Sequence, residues 1–151
     1  MSKRLIYITL LPLAITSCSK FNRLQRTGTV DQRYKAAVCY YQEEDFYRAG
    51  LLFQDLLPQV NGTAKAEECN YYYAYCHYEQ RQVILAAFYF QRLYNTYPRS
   101  EHAEECMFMR ARCLYESTPK YNLDQTNTQE ALRAVQTFLN KYPNSKYVED
   151  A

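Results

Sequence analysis

Three strings decide the architecture: "YKAAVCYY" (Tyr34–Tyr41), "YYYAYCHY" (Tyr71–Tyr78) and "FMRARCLY" (Phe108–Tyr115). Each begins 37 residues after the one before it. Read down the columns, they align Tyr34 with Tyr71 and Phe108, Ala37 with Ala74 and Ala111, Cys39 with Cys76 and Cys113, and Tyr41 with Tyr78 and Tyr115. Cys69 and Cys106 keep the same step. A second half follows each string. "DFYRAGLLFQDLL" starts at Asp45 and "QVILAAFYFQRLYNTYP" at Gln82, placing Ala49 and Ala86, Phe53 and Phe90, and Leu56 and Leu93 again 37 apart. The third unit supplies "TQEALRAVQTFLNKYP", but Pro98 and Pro143 stand 45 residues apart. The surplus falls in "STPKYNLDQTN", residues 117–127, a Pro- and Asn-containing loop. A fixed period of this size marks stacked supersecondary units.

The units are helical. Only three glycines occur in the chain, and prolines punctuate periodic segments instead of interrupting them. Helix, turn and helix, with Ala37, Ala74 and Ala111 at a small position of the first helix and Ala49, Ala86 and Ala131 at that of the second, resembles the tetratricopeptide repeat. Small residues let helix axes approach while larger neighbours fill the grooves. The expected fold is all-α, a tetratricopeptide-repeat-like helical solenoid of about three helix pairs. Its repeats are expected at 30–66, 67–103 and 104–145, with residues 146–151 starting a further helix of an apparently truncated chain.

The chain opens differently. Lys3 and Arg4 precede an apolar run, Leu5 to Ile15, which is about half the roughly twenty residues that a membrane-spanning helix requires. Charged, apolar, then small is the order of a secretory leader, here residues 1–17. Ile15-Thr16-Ser17-Cys18 resembles the lipobox of bacterial lipoproteins. The resemblance implies cleavage after Ser17 and a diacylglycerol on the Cys18 thiol. Two or three acyl chains anchor firmly where one holds only marginally. Ser19 in place of Asp implies the outer membrane. Residues 18–29, with no strong helical pattern, are expected to be a lipidated tether.

Removing the leader takes away Lys3 and Arg4 and no acid, so the mature chain carries 16 basic and 16 acidic residues. That balance gives no support for a nucleic-acid partner. Cys69 and Cys76 lie seven helical residues apart, about 10 Å, too far for two ligands about 2.3 Å from one zinc ion. Cys39, Cys76 and Cys113 would sit on stacked helices 8 to 10 Å apart, beyond ordinary disulfide reach of about 4.4 to 6.8 Å. The cysteines are therefore expected as small apolar filler at a repeated buried position. Cys76 and His77 are neighbours in sequence and point about 100° apart on a helix, so they make no catalytic pair. His102 has no evident nucleophile beside it. Asn61-Gly62-Thr63 matches a glycosylation sequon, but a turn is its expected role. No catalytic residue, metal or cofactor is expected beyond the lipid on Cys18, and the chain is not expected to be an enzyme.

Tyrosine is the abundance that remains: 17 residues, with no tryptophan. Tyr34, Ala37, Val38 and Tyr41 follow the spacing of one helical face. Tyr71, Ala74, Tyr75 and Tyr78 repeat it, as do Phe108, Ala111, Arg112 and Tyr115. First helices of a solenoid line its concave side. The candidate site is thus an aromatic groove of Tyr34, Tyr41, Tyr71, Tyr75, Tyr78, Arg112 and Tyr115, in which tyrosine hydroxyls satisfy the backbone of an extended or hairpin peptide. The same stripe is equally what packing of first helix on first helix would use.

"CLYESTPKYNLDQTNTQEALRAVQTFLNKYPNSKYVEDA", Cys113 to Ala151, is similar to the BamD-type lipoproteins of outer-membrane β-barrel assembly. The features held in common are a long loop after a Tyr-containing helix, "LDQ" with a following Thr, an Ala-rich helix, and "YPNSKY". The resemblance implies a scaffold that faces the periplasm from the outer membrane. It would bind the barrel-inserting subunit and receive unfolded outer-membrane protein segments, the latter in the aromatic groove. Two other readings are open: a periplasmic adaptor of cell-envelope or division machinery, and a glycan-binding lipoprotein, since aromatic ladders also stack sugars.

Overall fold

The computed structural model describes residues 20–118 and 125–151. Every element among them is a helix: α1 (20–27), α2 (Val30–Gln42), α3 (Phe46–Val60), α4 (Lys65–Glu79), α5 (Val83–Thr96), α6 (Ala103–Glu116) and α7 (Thr126–Lys141). From α2 onward each helix packs on the next, and α2 also touches α4. Three antiparallel pairs therefore stack in series, as the 37-residue period predicts. None of the described helices is long and apolar enough to cross a membrane.

Local chemistry sets the boundaries. Thr29 caps α2 by accepting from Gln32 N–H, while the Gln32 side chain accepts from Thr29 N–H, satisfying two backbone donors that a helix start leaves unpaired. Asp45 caps α3 by accepting from Arg48 N–H at 3.1 Å. The turns inside the first two pairs are the same turn. Asp45 N–H reaches Tyr40 O and Gln82 N–H reaches His77 O, each at 2.9 Å. Between cap and next helix, Glu44 and Arg81 hold φ of 61° and 62°, the left-handed conformation that closes a Schellman end and favours glycine. These two residues are 37 apart. The exits from the second helices also match, since Tyr97 and Tyr142 leave the helix with φ near −125°, just ahead of Pro98 and Pro143.

The packing follows the columns. Ala37, Ala49, Ala74, Ala86, Ala111 and Ala131 are all buried, so each helix crossing has its small residue. One core cluster joins the first two pairs around Leu52, Phe53, Leu56, Cys69 and Cys76. A second joins the later pairs around Phe90, Leu93, Cys106, Cys113 and Phe138. At roughly 1.5–3 kcal/mol for each fully buried large apolar side chain, these rings and leucines dominate the stability of every junction.

Several sequence expectations need correction. Residues 20–27, expected as tether, form a helix whose Phe21 is 6% exposed. Phe21 and Leu24 stand three apart and pack toward α2 and α3, a face too small to register as periodicity. Gly28 N–H then closes the helix on Leu24 O at 2.8 Å. Cys39, expected to be buried with its column, is exposed and donates its thiol to Glu43 at 3.5 Å. Its period-mate Cys76 is covered by α3, close to Gly50. Among the described residues, only the short α1 lies ahead of α2, and it reaches Tyr40 without covering Cys39. The expected loop 117–127 ends earlier, because α7 begins at Thr126; residues 119–124 lie outside the described residues. Residues 146–150 run as turns and not as an assigned helix. Gly62, at φ 77°, makes the expected turn.

Candidate functional site

The first helices α2, α4 and α6 carry the aromatic stripe, and α4 shows how it is distributed. Residues on a helix step by about 100°, so consecutive tyrosines must face different neighbours. Tyr72 faces α2 and α3, 4.8 Å from the Tyr41 ring and stacked on Phe53 at 5.5 Å. Tyr73 is buried and meets Tyr89 of α5 at 4.7 Å. Tyr71, Tyr75 and Tyr78 face α6.

Those three end on carboxylates of the next first helix. Tyr71 donates to Glu105 Oε1 at 3.0 Å, and Tyr75 donates to the same oxygen. Tyr78 donates to Glu116 Oε1 at 2.7 Å. Arg112 Nε also donates to that oxygen, at 3.2 Å, and its guanidinium lies 5.8 Å from the Tyr78 ring. Burial first, and then Glu105, push Tyr71 and Tyr75 far above the ordinary phenol range. Burial and Glu116 push Tyr78 up to about 12. Burial and then the Cys76 thiol do the same for Tyr41, to about 12. Tyr71, Tyr75 and Tyr78 are thus neutral donors committed to internal acceptors.

The column at the other end of the face repeats as well. Tyr34 lies under the Lys65 ammonium at 5.1 Å, Tyr71 stacks on His102 at 4.2 Å, and Phe108 stacks on Tyr147 at 4.7 Å. Lys65 opens α4, whereas His102 and Tyr147 come from the segments that follow α5 and α7. Serines fasten these linkers, with Ser100 donating to Glu67 and Ser145 to Glu104. Tyr34 is raised well above the phenol range by burial and then by Glu68, the period-mate of Glu105.

The seven candidate residues therefore separate into two groups. Tyr34, Tyr41, Tyr71, Tyr75 and Tyr78 are half-buried between helices. Tyr115 is 69% exposed, and Arg112 is exposed beside it. Both line an open groove of about 590 Å³ together with Phe108, Ala111, Glu116, Val135 and the chain end at Asp150 and Ala151. The residues that reading the sequence did not single out are Glu105 and Glu116. Their signal was available, since Glu68 and Glu79 precede them by 37.

The thiols of Cys76, Cys106 and Cys113 are pushed up to about 12 and Cys69 to about 11, in each case by burial first. Among the described residues no group of three His, Cys, Asp or Glu is placed to hold a metal ion. All five described cysteines are free thiols. Cys18 and Ser17 lie outside the described residues.

A serial stack of helix pairs, with first helices stitched together by tyrosine–carboxylate bonds, defines a tetratricopeptide-like solenoid. Residues 26–151 match the model of the YfiO family, described as outer membrane lipoprotein, and the chain belongs to that family. No individual curated protein matches it. Family membership makes the protein an outer-membrane lipoprotein.

Proposed function

We propose that this outer-membrane lipoprotein is a scaffold of the β-barrel assembly machinery, held through lipid on Cys18 at the periplasmic side of the outer membrane. It receives unfolded outer-membrane protein segments and binds the barrel-inserting subunit. It works by binding, with no chemistry of its own and no cofactor beyond the anchor.

One observation carries this reading: in a chain of this family, Arg112 and Tyr115 are both exposed among the described residues and line one groove. The guanidinium suits a carboxylate and the ring suits an aromatic side chain, so an aromatic-ended peptide of a barrel precursor fits the pair. Tyr34 to Tyr78 then act as the rigid backing that holds this edge in place.

Titration calorimetry of the lipoprotein against aromatic-ended barrel peptides tests the reading. Tyr115→Ala and Arg112→Ala are each expected to weaken binding by about 5- to 30-fold, the range of 1–2 kcal/mol for a contact at a binding hot spot. Binding to oligosaccharides alone would overturn it in favour of a glycan receptor. Affinity capture from membranes tests the partner. Recovery of the barrel-inserting subunit supports the proposal, and recovery of peptidoglycan synthases in its place supports a general envelope adaptor.

A further inference from the structure

The second helices leave apolar side chains bare at one end of the molecule. Tyr47, at the start of α3, is 65% exposed, and its period-mate Ile84, at the start of α5, is 56% exposed. Leu85 and Phe88 extend the patch along α5, since Phe88 stands four residues from Ile84 and three from Leu85 and so shares their face. None of the four packs against either core cluster.

The chain enters the fold at this same end. Helix α1 runs back along α2, and its Phe21 ring meets Tyr40 at 5.7 Å and the Arg48 guanidinium at 5.8 Å. Arg48 directly follows Tyr47. Cys18 precedes Phe21 by three residues, a span of at most about 11 Å even when fully extended. A lipid on Cys18 therefore leaves no room for the folded body to stand away from the leaflet that holds the lipid. Some face must lie close to it. Exposed charge at this end is mixed, with Lys20 and Arg81 against Glu43 and Glu44, so electrostatic attraction to the membrane does not choose the face. Apolar contact does, in the manner of a second signal added to an acyl anchor.

We infer that Tyr47, Ile84, Leu85 and Phe88 form a membrane-contact patch that seats the second helices on the lipid leaflet carrying the Cys18 anchor. The first-helix face, with the groove of Arg112 and Tyr115, is then turned away from the bilayer. This rests on the anchored reading proposed above and adds an orientation to it.

The chain has no tryptophan, so single reporters are unambiguous. Tyr47→Trp, Ile84→Trp and, as a control in the linker beyond the far end of α5, Arg99→Trp are placed one at a time in the full lipoprotein. Each is reconstituted on vesicles of phosphatidylethanolamine and phosphatidylglycerol, with and without lipids brominated near the headgroup. Expected is blue-shifted emission with several-fold stronger quenching at positions 47 and 84 than at 99, unchanged by added salt. Equal and weak quenching at all three positions, in protein that carries acyl mass on Cys18 and floats with the vesicles, overturns the patch alone. Absence of acyl mass on Cys18 overturns the anchor and the patch together.

Discussion

Helices α4 and α6 carry the same sequence columns, yet the columns have opposite fates. On α4, Tyr75 and Tyr78 hand their hydroxyls to Glu105 and Glu116 and lose most of their contact with water. On α6 the matching residues, Arg112 and Tyr115, face an open groove. A repeat position thus has no fixed role. It becomes core where another first helix covers it, as α6 covers Tyr75 and Tyr78. The cysteine column also splits, buried at Cys76 and Cys113 and exposed at Cys39, and here it is the preceding second helix that covers Cys76.

The widest way to test this contrast is alkali. The covered thiols have folded values of about 11 to 12, against an ordinary value of 9.0. Protons held more tightly in the folded state stabilise it fully below pH 9, and this contribution is lost as pH rises toward 12. Circular dichroism is expected to show the helices melting within that window. At neutral pH, a thiol reagent should label Cys39 quickly and the other four described cysteines only after denaturant unfolds the chain. Rapid labelling of Cys76 or Cys113 would break the distinction.

Single substitutions give the next scale. Phe90 is fully buried where α5 meets α6, and Phe90→Ala is expected to cost about 3–5 kcal/mol in urea unfolding, from lost transfer energy and a cavity. Tyr115→Ala, in the open groove, is expected to stay within about 0.5 kcal/mol. If the two costs are similar, Tyr115 is not the free surface residue that its exposure indicates.

Smaller effects sharpen the picture of the stitching. Tyr75→Phe removes one of two donors to Glu105, and an expected loss of about 1–2 kcal/mol should largely vanish when Glu105 is already Ala and offers no acceptor. Glu44→Gly and Arg81→Gly relieve left-handed strain at equivalent turns, and each is expected to stabilise by up to about 1 kcal/mol. A loss at either position would show that the side chain contributes more than its backbone costs.

Much of the fold was legible because the period was written in residue types with narrow physical roles. Alanine marks helix crossings, Phe53, Phe90 and the leucines mark the junction cores, and Pro98 and Pro143 mark helix exits. Helix α1 was not legible, since two apolar residues make no pattern. The candidate site was half legible. Helical spacing put Tyr34, Tyr41, Tyr71, Tyr75 and Tyr78 on one face, but spacing is identical for a face that packs and a face that binds. Glu105 and Glu116 passed unnoticed because a carboxylate on a first helix ordinarily signals a solvated surface.

What the residues determined unaided is the number, order and length of the helix pairs, together with the lipobox expectation at Cys18, because local spacing and a period of 37 need no partner to be expressed. What only the packed molecule decided is which tyrosines are tied down, and to which carboxylates. Burial and hydrogen bonding depend on the neighbour that a column happens to receive, and that neighbour lies a full repeat away in the chain.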